Sequence, residues 1–462
     1  MQKVLPKHNQ QFAPFFSVAK KQFLDSEDNL VEKHLFHCND LKGMVREVLE
    51  KREIEEETEN LIQGDTGQDW LKIGLNIIRK RHLEKDDRDR LPAAGVQFAE
   101  CSPQAGAEEG PAPKRARRSR ADGVKGIKEF KDWGSRRMIL LAVVNKVPES
   151  HYNIDLIFKS INIESISFKL TGDFAFLMPI LGLIKGCGGT NPCPLCTQQK
   201  TTRGGQGSRW VERPEDCLRT LESLFSNFAG WVMSGEKMSA EMTRMWDGVC
   251  GTPLLPFRHG QDTRVLDILV PGPLHLFLSL NEVINFLEKS QWPEVKQVIQ
   301  DQLGVKFHVY MGKVGNYEGP DLNKILNNLE KLRPFMTGAN LLSFYEAFVA
   351  FKAVAKAVFT SNQLACNWRE SLHTLKSRLL TLHHGFGMSI TPKLHVLIVH
   401  VEQWVDIFGR PLGMEGEQAG EAVHHIWKRL LGNLGLPKVK ESTAFVEVVF
   451  KALLMFNANN VT

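Results

Sequence analysis

Alternation of apolar and polar positions predicts strands in the first part of the chain. Four apolar residues at every second position within 61–78 indicate a half-buried strand. These residues are Leu71, Ile73, Leu75 and Ile77. A short apolar run over 136–144 is typical of a buried strand. The alternation in 166–172 predicts a further strand that ends beside Asp173.

A helical period of apolar positions alternates with these strands and then replaces them. It predicts a helix that begins within 148–158 and a second helix over 174–184. From about 205 to 390 this period dominates, for example in 274–287 and 340–359, which predicts a mostly α-helical insertion. Strands interleaved with helices indicate an α/β sheet.

Two stretches depart from both periods. Residues 50–59 carry six glutamates, which is typical of an exposed helix end. Residues 91–125 are rich in Ala, Gly, Pro and Arg, and this composition predicts a disordered linker. Its basic tract from Pro113 to Arg120 suits nuclear import or phosphate contact, and a merely solvated charge run is the alternative.

Composition narrows the class of protein only slightly. A length of 462 residues suggests roughly two to four domains. The net charge of +5 permits a nucleic-acid partner without requiring one. Eight scattered cysteines do not indicate a disulfide framework, and neither a signal peptide nor a long apolar run is evident. We therefore expect a reducing compartment, the cytosol or nucleus, and no membrane association.

Two pairs of metal-binding residues lie about two hundred residues apart. Cys193 and Cys196 have the C-x2-C spacing of zinc thiolates, and His395 and His400 supply two imidazoles. The alternatives are two free thiols in a loop and two histidines packed in an apolar run. A spacing of five does not place two side chains on one α-helical face, so the zinc hypothesis requires a distorted or terminal turn.

Each of these pairs lies near an acidic residue. Asp173 lies 20 residues before Cys193, and Glu417 lies 17 residues after His400. If one zinc ion binds both pairs, it brings Asp173 near Glu417. Paired carboxylates are the ligands that Mg²⁺ prefers, so a magnesium site becomes possible.

Six short motifs occur in order through most of the chain. They are Gly64-Asp65-Thr-Gly-Gln, Val147-Pro-Glu149-Ser, Thr171-Gly-Asp173, Cys193-x2-Cys196 followed by Thr201-Thr-Arg203, His395-x4-His400 and Gly416-Glu417-Gln418-Ala419. In their order and spacing the chain resembles the Transib-type transposases and the catalytic subunit of the vertebrate antigen-receptor recombinase, over roughly residues 60–430. Each motif alone is weak.

This resemblance implies a DNA transposase that cleaves and transfers phosphodiester strands. It implies an RNase H-like, retroviral-integrase-like α/β core in which Asp65, Asp173 and Glu417 bind two Mg²⁺ or Mn²⁺ ions. Glu149 would be an auxiliary acid. One structural zinc held by both ligand pairs would brace a helical insertion. DNA, a second copy of the chain and a nuclear location are the implied partners and compartment.

The same resemblance divides the chain into five regions. They are an N-terminal mixed and helical region (1–60), the first part of the core with the basic linker inside it (61–185), the helical zinc-binding insertion (186–394), the histidine pair and glutamate helix that complete the core (395–430), and a C-terminal helical tail (431–462).

Each site residue also has an ordinary structural interpretation. Asp65 suits a turn before glycine, Asp173 a helix cap and Glu149 a first helical turn. Glu415 and Glu421 compete with Glu417 for the metal. Among the other histidines, His383, His384, His424 and His425 are expected to be surface or packing residues, and His275 has no assigned role.

Two departures from the family favour other functions. No counterpart of the family's DNA-end-binding region precedes the core, and the linker over 91–125 is an extra insertion. The main alternative is a catalytically inactive, transposase-derived module that binds DNA or protein. A third hypothesis is a zinc-stabilised helical interaction protein without a nucleic-acid role.

The basic tract yields a localisation prediction. Replacing Lys114, Arg115, Arg117 and Arg118 with alanine should move a tagged protein from the nucleus to the cytoplasm. The fold should be unaffected, because the segment is expected to be disordered. Unchanged nuclear fluorescence would instead make the tract a solvated run or a DNA-contacting arm.

Overall fold

The fold is described from a computed structural model, which covers most of the chain. The described residues are 11–67, 69–79, 137–184, 191–199, 217–237, 239–256, 263–307, 315–360, 363–415, 418–437 and 442–461. The predicted linker over 91–125, with its basic tract, lies outside these residues. Glu417 lies outside them as well.

Six strands form one mixed sheet with the order β1-β2-β5-β4-β3-β6. The strands are β1 (Phe16–Leu24), β2 (Leu30–Cys38), β3 (Thr58–Gly67), β4 (Trp70–Arg79), β5 (Ile139–Asn145) and β6 (Lys169–Gly172). All neighbouring pairs are antiparallel except β3 and β6, which are parallel. The α/β class is thereby confirmed, and the three predicted strands are β4, β5 and β6.

The hairpin of β1 and β2 extends this sheet beyond β5. The sequence sets residues 1–60 apart as a mixed and helical region, whereas β2 pairs with β5 at Phe36 and His37. The hairpin lacks a clear alternation because β1 is an edge strand that carries Lys20 and Lys21. Polar and charged side chains are common on edge strands, where they oppose further pairing.

Helices make up most of the other described elements. Those near the sheet in sequence are α1 (Leu41–Lys51), α2 (His151–Ile161) and α3 (Phe174–Ile180). The next are α4 (Leu221–Ser234), α5 (Ala240–Met245), α6 (Val265–Ile268), α7 (Pro273–Leu278), α8 (Leu280–Ser290), α9 (Val295–Leu303), α10 (Gly319–Asn327), α11 (Leu329–Leu332), α12 (Ala339–Ala357) and α13 (Trp368–Phe386). The last are α14 (Pro392–His395), α15 (Val401–Phe408), α16 (Gln418–Asn433) and α17 (Thr443–Val461).

The described part of 205–390 is mostly helical, as its period predicts. The long helices α12 and α13 pack against each other. Phe344 and Phe351 of α12 and Leu375 and Leu379 of α13 are all fully buried in the hydrophobic core. Burial of such side chains is the main stabilising contribution to a helical layer of this kind.

The C-terminal helix α17 belongs to the core of the sheet. By length and composition it could cross a membrane, but its apolar face packs on β5 and α16. The Asn457 side chain donates to Leu140 O at 2.9 Å and accepts from Leu140 N at 2.8 Å. Strand β2 pairs with β5 only at Val143 and Ala142. The Asn457 amide therefore forms hydrogen bonds with Leu140 of β5, a residue that β2 does not pair with.

Loss of this amide should destabilise the protein. In Asn457→Ala the buried N–H and C=O of Leu140 lose their partner, which should lower the free energy of unfolding by about 2–4 kcal/mol. Asn459 is the matched control, because it lies two residues away on the same helix and is exposed. Asn459→Ala should change stability by less than about 0.5 kcal/mol in the same urea titration. Equal effects of the two substitutions would contradict this role.

Candidate functional site

Two Gly-Asp pairs meet at the edge of the sheet. Gly64 of β3 and Gly172 of β6 are partners in the parallel register. A Cβ on Gly64 would overlap the Phe176 ring, and one on Gly172 would lie 2.9 Å from it. Gly172 also has a φ of +156°, which L-residues with side chains rarely adopt. Both positions therefore require glycine, and the two following aspartates line one cleft.

Asp173 combines a structural role with its position in the cleft. It lies one residue after β6 and is the N-cap of α3, where its Oδ1 accepts a hydrogen bond from Phe176 N at 2.8 Å. The cap interpretation of this residue is thus confirmed. The cap uses one carboxylate oxygen, and the rigid helix start fixes the direction of the other.

Asp65 is a half-buried residue of β3 with cationic neighbours. His424 Nε2 lies 2.5 Å from Asp65 Oδ2, and Lys72 of β4 is its direct partner in the register. Burial opposes the charge on Asp65, but the hydrogen bond from His424 and the charges of His424, Lys72 and His275 hold the pKa of Asp65 below its usual value. Asp65 is therefore ionised at neutral pH, which is the form that binds cations.

Two histidines without an expected role face this cleft. His424 of α16 is only 6% exposed and lines the cleft, as does His275 of α7. Burial, and then the charge of Lys393, lowers the pKa of His275 although both aspartates raise it. A neutral imidazole is the form that binds metal. The expectation that His424 is a surface or packing residue misses its contact with Asp65, whereas the neighbouring His425 is exposed.

One sequence signal could have identified His424. It follows Glu417 by seven residues, which is about two helical turns. On the glutamate helix that the sequence predicts, a residue at that spacing would lie on the same face as Glu417. No comparable signal exists for Lys72, whose position depends on the register between β3 and β4.

Glu149 lies beside the strand that carries Asp65. It is buried, and its Oε1 accepts a hydrogen bond from the backbone N–H of Thr66. The residue thus holds the end of β3 next to Asp65. Its role as an auxiliary acid stays a prediction.

The alternative ligand Glu415 has other partners. It contacts Arg410, lies 3.8 Å from Lys169 Nζ, and is 1% exposed. Arg410 and Lys169 each also bind Glu59 Oε2 at 2.9 Å. Glu59 and Asp65 are six residues apart on β3, or about 20 Å. Glu415 therefore anchors the segment before α16 to the far end of β3. The side chain of Glu421 lies outside the described residues.

The Cys and His pairs converge as the zinc hypothesis requires. Cys193, Cys196, His395 and His400 are buried, and their ligand atoms all lie within 4.8 Å of one another. Cys196 Sγ is 3.3 Å and His400 Nε2 is 3.2 Å from His395 Nε2. Zinc bonds of about 2.0–2.3 Å in a tetrahedron need ligand separations close to these. The cluster can therefore bind a metal ion such as zinc.

A π-helical turn explains the spacing of the two histidines. The chain forms a π-helix over Val396–His400, between α14 and α15. Its i→i+5 hydrogen bonds bring residues five apart to the same side, which an α-helix does not do. The expected distorted turn is thereby confirmed, and it lies between His395 and His400.

Neighbouring groups hold the ligands in place. His400 Nδ1 pairs with Gln403 Oε1 at 2.8 Å, which leaves Nε2 for a metal. The buried Arg219 donates to Cys193 O at 3.1 Å and to Asp247 O at 2.7 Å. Burial opposes ionisation of Cys193, but hydrogen bonds from Cys196 and from the backbone bring its pKa below the usual value. The thiolate is the form that binds zinc.

The cleft is a looser arrangement than the zinc cluster. Among the described residues, no three of its carboxylates and imidazoles have ligand atoms all within 4.8 Å of one another. Asp65 and Asp173 nevertheless offer the oxygen ligands that Mg²⁺ prefers. The described residues of the cleft thus supply two carboxylates at one edge of the sheet.

Zinc content tests the four-residue cluster. Purified protein should contain one zinc ion per chain by elemental analysis, and Cys196→Ser should lose it and unfold at a lower temperature, because metal binding contributes to folding. Cys366→Ser is the control, since Cys366 is exposed and free. Protein purified without zinc, or full zinc retention by Cys196→Ser, would contradict the assignment.

Comparison with known proteins adds no family to this geometry. No protein-family model matches the sequence, and a search of curated proteins finds no match.

Proposed function

We propose that this protein is a DNA transposase or recombinase-like nuclease that uses two divalent metals to cleave phosphodiester bonds and transfer strands. The observation that carries the proposal is the parallel pairing of Gly64 with Gly172, which brings Asp65 and Asp173 into one cleft. Two carboxylates from separate segments at one sheet edge are what a two-metal site needs.

The topology supports an RNase H-like core. Strands β3, β4 and β5 are consecutive and antiparallel, and α2 then leads to β6, which lies parallel to β3. Leu269 continues the sheet through a parallel bridge to Leu170 of β6. A meander followed by strands parallel to its first member is the arrangement of an RNase H-like sheet. The helical segment between Asp173 and α16 is then the insertion.

The residues of the cleft suit phosphoryl transfer. Bound magnesium would activate the attacking hydroxyl or water and neutralise the leaving oxygen. The neighbouring cations keep Asp65 ionised, and the cap at α3 fixes Asp173. Asp65, Asp173 and Glu417 are the proposed metal ligands, with Glu149 as a positioning acid through its bond to Thr66 N.

Two clamps support a third ligand from the segment around Glu417. The zinc cluster ties the Cys193–Cys196 loop to the helices before that segment. The ion network of Glu415 ties the residues just before α16 to β3 and β6. His424 of α16 contacts Asp65. In sequence, Glu417 lies between these two contacts and immediately precedes α16.

DNA is the proposed substrate, and a nuclear homodimer is the proposed form. Duplex DNA supplies the phosphodiester that such a site cleaves, and the basic tract suits either phosphate contact or nuclear import. Two copies would act on the two ends of a mobile segment.

A catalytically inactive binding module is the second candidate. One observation favours it: the Asp65 carboxylate has protein partners of its own in His424 and Lys72. A carboxylate compensated in this way is stable without a bound ion. The fold therefore does not require metal binding at Asp65. DNA or protein binding would then be the remaining function.

Asp173→Asn tests the enzyme directly. Asparagine is as good a helix cap as aspartate, so the variant should fold normally while losing the charge of a metal ligand. Nicking of supercoiled duplex DNA with Mg²⁺ or Mn²⁺ should fall by about a thousandfold or more. DNA binding should be mostly retained, since lysine and arginine contacts with phosphate supply it.

The control is the same Asp→Asn substitution at a helix cap that lies outside the cleft. Asp40 caps α1 through a hydrogen bond from Gly43 N at 2.8 Å and does not line the cleft. Asp40→Asn should cleave at the wild-type rate. Cleavage by Asp173→Asn at that rate would refute the assignment of the site, and metal-independent DNA binding without cleavage in the wild type would favour the inactive module.

A further inference from the structure

We propose that His424 is a ligand of the divalent ion that Asp65 binds, so that the cleft combines carboxylate with imidazole and binds Mn²⁺ more tightly than Mg²⁺. The inference rests on the proposed function only in placing a cation in this cleft. It adds a nitrogen ligand to the carboxylates, which should raise the preference for Mn²⁺ over Mg²⁺ above that of a site of three carboxylates.

The contact between Asp65 and His424 is the first observation. The two side chains come from β3 and α16, and Nε2 of the ring lies 2.5 Å from Oδ2 of the carboxylate. Two adjacent ligands of an octahedral ion with bonds of about 2.1 Å are about 3 Å apart. A shift of about half an ångström would therefore let one ion enter between these atoms and bind both residues.

The other ring nitrogen is the second observation. His424 is 6% exposed, and its Nδ1 is buried without a hydrogen-bond partner among the residues that the structure describes. Nδ1 stays unpaired whether or not an ion binds, at a cost of about 1–3 kcal/mol. Nε2 is therefore the ring nitrogen that can act as a ligand, and it is the one that faces Asp65.

The surroundings favour an ion with affinity for nitrogen. His275 faces the same cleft, within electrostatic range of both Asp65 and Asp173. Mg²⁺ prefers oxygen ligands and gives up its water reluctantly, whereas transition ions accept imidazole more readily. Each imidazole in the set therefore shifts the preference from Mg²⁺ towards Mn²⁺.

Ion binding, measured apart from cleavage, tests the inference. Mn²⁺ is titrated into the zinc-loaded full-length chain, free Mn²⁺ is followed by its electron paramagnetic resonance signal, and Mg²⁺ is added as a competitor. His424→Gln should weaken Mn²⁺ binding by about tenfold or more while changing Mg²⁺ competition much less. His425→Gln is the matched control, because this exposed histidine is the next residue of the same helix. Its affinities should equal those of the wild type.

A second measurement does not depend on the folding of a variant. Pulsed electron paramagnetic resonance of Mn²⁺ in the wild-type protein should show coupling to an imidazole nitrogen. The coupling should persist, at least in part, in His275→Gln. Its absence in the wild type would overturn the inference.

The same titration distinguishes a metal ligand from a ring that blocks ion binding. If the ring blocks the cleft, then His424→Gln will bind Mn²⁺ more tightly than the wild type, and this result overturns the inference. Unchanged Mn²⁺ affinity in the folded variant overturns it too. Mn²⁺ binding through His424 without DNA cleavage would refute the proposed function alone, and Mn²⁺-dependent cleavage with no effect of His424→Gln on binding would refute this inference alone.

Discussion

The close approach of β3 and β6 at two paired glycines is the constraint on which the site depends. The Phe176 ring lies against both Gly64 and Gly172, so neither position tolerates a side chain. Parallel strands end at the same edge of a sheet, and each strand here carries its aspartate immediately after its glycine. Asp65 and Asp173 therefore share a cleft although more than a hundred residues separate them in the chain.

The rest of the molecule brings α16 to that edge. The cluster of Cys193, Cys196, His395 and His400, which can bind a metal ion such as zinc, joins the helices before α16 to the Cys193–Cys196 loop. The ion network of Glu59, Lys169, Arg410 and Glu415 pins the following segment to the start of the two parallel strands. A buried network of this kind contributes little net stability, because desolvation opposes the charge attraction. Its effect is to hold Glu415, three residues before α16, against these two strands.

Local sequence signals predict several strands and the distorted turn. They do not predict contacts that depend on strand register or helix packing. The alternation in 71–77 and the apolar run in 136–144 depend only on burial, and they predict β4 and β5. The five-residue spacing of the histidines predicts a distorted turn, which is the π-helix. The hairpin of β1 and β2 is missed because β1 is a charged edge strand and neither strand alternates clearly between buried and exposed residues. The contact of His424 with Asp65 depends on how α16 packs, and sequence patterns do not report such packing.

The electrostatic balance of the cleft decides between its two candidate functions. Two carboxylates in a shared cleft repel each other unless cations lie nearby. Lys72, 4% exposed, and His424 supply such compensation at Asp65 from the protein itself. An ion that enters the cleft must displace part of this compensation. Its binding is most favourable if the displaced group becomes one of its ligands. Lysine cannot bind a metal while charged, but imidazole can bind when neutral. If an ion binds here as proposed, His424 is therefore the group that can change from the hydrogen-bond partner of Asp65 to a metal ligand.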